Sequence, residues 1–160
     1  MEVREVTVET EISAPPYRVW ELITDISLMP RFSAELQSVE WTDGFDAPIL
    51  GARFLGTNRH SAVGEWTTIS SVTDLDLQRS FGWAVGNPEN AAATWRFEIE
   101  PATGGSRLRY TARLGPGPSG VTMLIGRDPG HAEEIIEGRL DEFRRGMAAT
   151  VAGIKALAEA

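Results

Sequence analysis

One short stretch of the chain carries the residue types that proton chemistry uses. Asn58, Arg59 and His60 are consecutive, and Glu65 follows just beyond the turn formers of Ser61–Gly64. Imidazole titrates near neutrality, so His60 is the first candidate for proton transfer, against the alternative of a partly exposed histidine at a strand end. Strand alternation would put Asn58 and His60 on one face and Arg59 on the other. Arg59 and Glu65 flank one hairpin and read in two ways. The first is an Arg that polarises a ketone beside a carboxylate that removes an α-proton, as an aldol cyclisation needs. The second is a cross-strand ion pair on a wet face, which parity favours. Tyr110 completes the catalytic candidates, as a donor if its hydroxyl reaches a cavity. The other histidine, His131, reads as exposed at the start of a helix. Two isolated histidines and no cysteine lack metal-ligand spacing, so neither a metal nor a cofactor is expected. No serine lies in a nucleophile elbow, and Gly115–Gly117 lacks the strand-to-helix setting of a phosphate loop.

A second set of side chains points to binding. Phe54 shares the alternation of Asn58 and His60, and Trp66, Thr68 and Ser70 share another. Phe81 goes with Trp83, Trp95 with Phe97, and Tyr110 with Leu108 and Ala112. Taken as inward-facing, they form a wall in which aromatics supply area and a few polar groups fix orientation, the usual make-up of a ligand pocket. A filled core would use the same faces.

These positions need strands to hold them. Residues 3–12 alternate Val6, Val8, Thr10 and Ile12 with Glu5, Thr7, Glu9 and Glu11, the pattern of a half-buried strand. Six more strands are predicted over 38–41, 52–60, 65–74, 79–85, 93–100 and 106–114, separated by turn formers such as Asp43-Gly44 and Thr103-Gly104-Gly105. The last two form a hairpin with one apolar and one Arg/Glu face, so the sheet is wet on one side. Ser13–Pro16 breaks the first strand and opens a short helix bearing Val19, Trp20, Leu22 and Ile23, with Ser13 as its expected cap. Asp25 is expected to cap a second segment bearing Met29 and Phe32, divided or kinked at Pro30. Residues 115–120, GPGPSG, read as a linker before a short helix over 121–125.

The chain ends in an apolar stripe from His131 to Leu157: Ile135, Ile136, Leu140, Phe143, Met147, Val151, Ile154 and Leu157. Steps of three and four residues define one face of a helix about 40 Å long at ~1.5 Å per residue. A helix of that length laid across a large antiparallel sheet predicts a sheet wrapped around it.

The bulk properties narrow the classes. At 160 residues, 42% hydrophobic and 24% charged, the chain is expected to form one domain over 1–160 with a sizeable core. A net charge of -8, with fourteen Arg among the fifteen basic residues but scattered, argues against nucleic acid. The start lacks the apolar core of a signal peptide, and no window is long and apolar enough to span a membrane. A cytoplasmic protein, monomer or homodimer, is the expectation.

The order strand, two short helices, six strands, long helix resembles the helix-grip fold of the START/Bet v 1-like (SRPBCC) superfamily, and within it the bacterial polyketide cyclase/dehydrase group. The matching stretches are ISAPPYRVWELITDI (12–26), GARFLGTNR (51–59), GEWTTISSVTDLD (64–76), ATWRFEIEPATGGSRLRYTARL (93–114) and EGRLDEFRRGMAATVAGIKALAE (137–159). The resemblance implies an α+β fold: a curved seven-stranded antiparallel sheet around the C-terminal helix, enclosing a cavity capped by the two short helices. Trp20 and Phe32 would then belong to the cap, and Ile136, Leu140, Phe143 and Met147 to the wall on the helix side. Similar frames carry lipids, bind hormones, cyclise polyketides or act as accessory proteins. Three functions follow as expectations: cofactor-free cyclisation or dehydration of a polyketide, binding or carriage of a hydrophobic small molecule, and a regulatory or toxin-like role through a protein partner.

Overall fold

A computed structural model describes residues 4–160. Seven antiparallel strands form one sheet in the order β1-β7-β6-β5-β4-β3-β2. They are β1 (Arg4–Ile12), β2 (Leu36–Trp41), β3 (Arg53–His60), β4 (Gly64–Asp76), β5 (Ser80–Val85), β6 (Ala93–Ala102) and β7 (Gly105–Leu114). Every connection from β2 to β7 is a hairpin between neighbours. Only β1 reaches its partner β7 from the far end of the chain.

Alternation sorts the two faces as expected. On the outer face Glu5, Glu9 and Glu11 of β1 stand opposite Arg113, Arg109 and Arg107 of β7 and pair with them at 3.0, 2.6 and 3.0 Å. Each such exposed pair contributes about 0.2–1 kcal/mol, so the ladder sets register more than stability. The inner face carries Val6, Ile12, Phe54, Val72, Phe81, Trp83, Phe97, Leu108 and Tyr110, all buried. Two irregularities, between Leu36 and Ser38 and between Val72 and Asp74, insert an extra residue and bend their strands. The second returns Leu75 to the inner face and turns Asp74 out, where it pairs with Arg96 at 2.6 Å.

The helices are α1 (Pro16–Ile23), α2 (Met29–Phe32), α3 (Gly120–Arg127) and α4 (Ala132–Ala158). Three-residue 3-10 turns precede α2 and α4. Asp25 caps the first turn by accepting from the Ser27 N–H at 3.1 Å; Pro30 sits in the first turn of α2, where no amide donor is needed. The Ser13 expectation is corrected. Pro15 occupies the N-cap of α1 and makes no side-chain cap bond, while the Ser13 N–H donates to Glu159 at the far end of the chain. The GPGPSG stretch is also more than a linker, because Ser119 and Thr122 form a reciprocal capping box that starts α3. That helix runs through Gly126 to Arg127. His131 is exposed beside the Asp128 carboxylate at the N-terminus of α4.

The stripe on α4 buries Leu140, Phe143, Met147, Val151 and Ile154. The helix packs on β1 at one edge of the sheet, meets Trp95 at the centre through Phe143 with ring centroids 4.8 Å apart, and bonds to the end of β3 near the other edge. A sheet that touches one helix from both edges and its middle has closed around it. This is the helix-grip arrangement.

Candidate functional site

The grip does not close completely. Between the inner face and α4 lies a deep chamber of about 590 Å³. Phe54, Trp83, Phe97 and Tyr110 project into it from β3, β5, β6 and β7, and Met147 from α4; Phe32 of α2 lies at its mouth. The aromatic side chains brace one another: Phe97 stacks on Tyr110 at 3.9 Å between centroids, and Trp83 lies 6.0 Å from both Phe54 and Phe97. A second space of about 520 Å³ lies under α3, lined by Trp66, Val85, Val121, Leu124 and Ile135 among others. Asn58, His60, Thr68, Trp95 and Phe143 line both spaces, as do Glu35, Arg139 and Glu142.

The deep chamber carries polar groups without partners. Tyr110 is 7% exposed and Ser70 3%; neither hydroxyl bonds to any described protein group. Yet no buried side-chain nitrogen or oxygen is both sealed and unpaired among the described residues. Both hydroxyls therefore open on the chamber they line. Burial holds the Tyr110 phenol well above its ordinary value, so it stays a donor at any physiological pH. Asn58 and Thr68 are partly spoken for, the Asn58 amide donating to the Thr68 hydroxyl at 3.4 Å.

The wall between the two spaces is a polar chain. His60 Nδ1 accepts from the Ala62 N–H at 2.9 Å, which places its proton on Nε2, and Nε2 donates to Glu142 at 2.5 Å. Arg139 lies 3.7 Å from the other Glu142 oxygen and clasps Glu35 with two bonds of 2.6 and 2.8 Å. Its guanidinium rests 4.8 Å over the Phe143 ring, a contact worth roughly 0.5–2 kcal/mol. Burial alone would lower the Arg139 pKa, but the Glu35 carboxylate, helped by Glu142, outweighs it and raises the group above its ordinary range.

The structure thus sorts the candidates. Asn58, His60 and Tyr110 come together around the chambers. Arg59 does not join them: its side chain is 65% exposed, reaches only the rim of the deep chamber, and pairs with Glu65 at 2.6 Å, the wet-face ion pair that parity favours. Both His60 nitrogens are occupied, so His60 offers no free lone pair to a ligand. Of the expected wall, Phe32, Phe54, Ser70, Trp83, Phe97, Tyr110 and Met147 line the deep chamber, Trp66 lines the space under α3, and Thr68, Trp95 and Phe143 line both. Four residues are corrected. Phe81 and Leu140 are buried in the core, Trp20 and Ile136 pack against it, and all four lie outside the linings of both spaces. It is Ile135, one helical step away, that faces the space under α3.

Glu35, Arg139 and Glu142 escaped the sequence reading. The only local signal was the i,i+3 spacing of Arg139 and Glu142 with Phe143 one turn beyond Arg139, and such pairs are common on solvated helix faces. A further concavity, of about 530 Å³ on the outer face, is lined by the ion pairs Glu5–Arg113, Glu9–Arg109 and Asp74–Arg96, whose charges already satisfy one another. No cluster of three metal-ligating side chains occurs among the described residues, and no helix there is long and apolar enough to cross a membrane.

A curved sheet gripping one helix around an aromatic-walled interior defines a class of cavity proteins, and comparisons with known proteins agree. Residues 3–152 match the family model described as polyketide cyclase / dehydrase and lipid transport. The chain belongs to that family, within the SRPBCC superfamily. A solution structure of a Polyketide_cyc-like protein, Cgl2372 from Corynebacterium glutamicum, is 26% identical over 98% of this chain and 91% of its own, with a TM-score of 0.68. The di-domain ARO/CYC StfQ from the steffimycin biosynthetic pathway superposes with a TM-score of 0.75 at 12% identity; 98% of this chain matches 51% of that one. Ara h 8.0201 shares the fold with a TM-score of 0.54 at 18% identity, over 87% of this chain and 98% of its own. A comparison with curated protein sequences finds no match.

Proposed function

We propose that the chain binds a largely apolar, aromatic or polyketide-like small molecule in the deep chamber between its sheet and α4. One observation carries this reading. A space of about 590 Å³, within the roughly 300–1,000 Å³ of small-molecule sites, is lined by seven aromatic side chains and holds two buried hydroxyls with no described protein partner. Apolar walls supply affinity, and the Tyr110 and Ser70 hydroxyls would bond a ligand carbonyl or hydroxyl and fix its orientation. The test is a titration with a bicyclic aromatic ketone, following tryptophan fluorescence and melting temperature. Saturable quenching and a rise in melting temperature are expected. No quenching, with no ligand retained in native mass spectrometry, would exclude the reading.

Catalysis is a second reading, favoured by the Tyr110 hydroxyl. A buried, protonated phenol free to donate is placed to polarise a ketone oxygen while a carboxylate of the polar wall removes the α-proton. The enol carbon would then close the ring on a second carbonyl, and water would leave. Holding a poly-ketone chain folded would supply most of the acceleration. Cyclisation of a soluble polyketone mimic above background, lost in Tyr110→Phe while ketone binding survives at reduced affinity, would separate an enzyme from a carrier.

A further inference from the structure

The space under α3 has its own walls and its own chemistry. Val121 and Leu124 of α3 cover it, Ile135 of α4 closes one side, and Trp66 and Val85 of the sheet form its floor. It adjoins the deep chamber along the bonded chain His60–Glu142–Arg139–Glu35 and shares further wall residues with it, Asn58, Thr68 and Trp95 among them. We propose that this space is a second binding compartment, taking a neutral apolar aromatic group beside the occupant of the deep chamber. The proposal rests on the reading of the interior as a ligand site.

Its volume of about 520 Å³ is in the range of small-molecule sites, roughly 300–1,000 Å³. Charge selects the ligand class. Among the described residues lining it, only Glu35, His60, Arg139 and Glu142 ionise. The one guanidinium serves both carboxylates, bonded twice to Glu35 and 3.7 Å from Glu142, so two carboxylates stand against a single guanidinium. An anionic group entering there would meet a carboxylate and no free cation, and would lose its hydration for nothing. The deep chamber differs, because Arg145 stands exposed at its mouth with no ion pair to a described residue. A negative group can lie there with its apolar body inside.

The tryptophans report the two compartments separately. Trp66 lines only the space under α3, whereas Trp83 lines the deep chamber and not that space. The experiment uses the full chain and a matched pair of fluorescent probes, neutral N-phenyl-1-naphthylamine and its anionic analogue 8-anilino-1-naphthalenesulfonate. Native mass spectrometry and calorimetry should count two neutral probes per chain and one sulfonate. The Trp66 indole N–H resonance in NMR, assigned by its loss in Trp66→Phe, should shift with the second neutral probe and stay in place with the sulfonate. Leu124→Trp, which fills the compartment, should reduce the neutral count to one and leave the Kd of the remaining site within about twofold. A single neutral probe on the wild-type chain, or two sulfonates, would overturn the proposal while leaving the deep site standing. Failure of both probes to bind would overturn that underlying reading as well. Should Leu124→Trp not fold, the wild-type count and the Trp66 indole shift still decide.

Discussion

Tyr110 is the residue on which affinity for an oxygen-bearing ligand turns. Its ring is held by the stack on Phe97 and by Trp95 and Trp83 around it, while its hydroxyl bonds to no described protein group. Removing that oxygen costs the fold no hydrogen bond. Tyr110→Phe should therefore leave stability within about 0.5 kcal/mol of wild type and weaken binding of an aromatic ketone about tenfold, one net hydrogen bond. Chemical denaturation and calorimetry on the same protein check the two halves. Arg139 behaves in the opposite way. Arg139→Met leaves the half-buried Glu35 carboxylate without its partner and Glu142 with His60 alone. Because both remain partly exposed, the cost is about 1–2 kcal/mol rather than the larger loss of a sealed pair. Glu35→Gln in the Arg139→Met background should restore part of that loss, measured as a double-mutant cycle in urea.

Among the elements, α4 does most of the positioning, and its glycines show where it is gripped. The Phe32 ring of α2 lies against Gly153 so closely that an added Cβ would overlap it, whereas Gly138 faces open space. Both are helical, so Ala at either site gains up to about 1 kcal/mol of propensity. Gly138→Ala should raise the melting temperature. Gly153→Ala should lower it in wild type, yet raise it in a Phe32→Ala background where the overlap is gone. Equal signs at the two sites would mean that Phe32 is not seated on α4. The other end of the grip is electrostatic. Glu159 accepts from the Ser13 N–H at 2.8 Å and from Lys155 at 2.7 Å, and Lys155 and Ser13 hold its carboxyl below the ordinary value of 4.5. A carboxyl with a depressed folded pKa contributes stability above its unfolded pKa and loses it as pH falls through the folded one. The clasp of α4 to the β1–α1 junction should thus contribute fully above about pH 4.5, weaken below it, and open only as pH falls through the lower folded value. An NMR titration should show the Ser13 amide shifting together with the Glu159 carboxyl, a shift abolished in Glu159→Gln. Most of these elements were legible in the chain, because every strand but the buried β5 has a wetter face and α4 an unbroken stripe. The caps were not. Ser13 looks like an N-cap until the distant Glu159 takes its amide, and the Ser119–Thr122 box lacks the acidic third residue that marks the motif.

At the scale of the whole molecule, parity and depth have to be separated. Alternation assigns a side chain to the inner face but not to a position along it, so Phe81 and Trp83 were indistinguishable until the fold placed one in the core and the other on the chamber. The polar partition was hidden for a different reason. Arg139 meets Glu35 across 104 residues and Glu142 meets His60 across 82, and no local pattern announces a partner that far away. Those two contacts give the interior its form, dividing it where β3 and α4 approach. The His60–Glu142 bond is its narrowest bridge, joining the end of a strand to the middle of a helix, with Glu142 retaining Arg139 as a neighbour if His60 is removed. His60→Ala should then cost less than about 1 kcal/mol of stability, since a partly exposed pair is lost and no charge is left stranded. It should also join the two spaces into one. A neutral ligand with two ring systems on a short linker, which must cross the partition to seat one ring in each space, should bind about tenfold or more tightly to His60→Ala than to wild type, while a one-ring ligand gains nothing. Calorimetry with the two ligands gives that ratio directly. An unchanged ratio would show that the partition does not set the size of what the cavity holds.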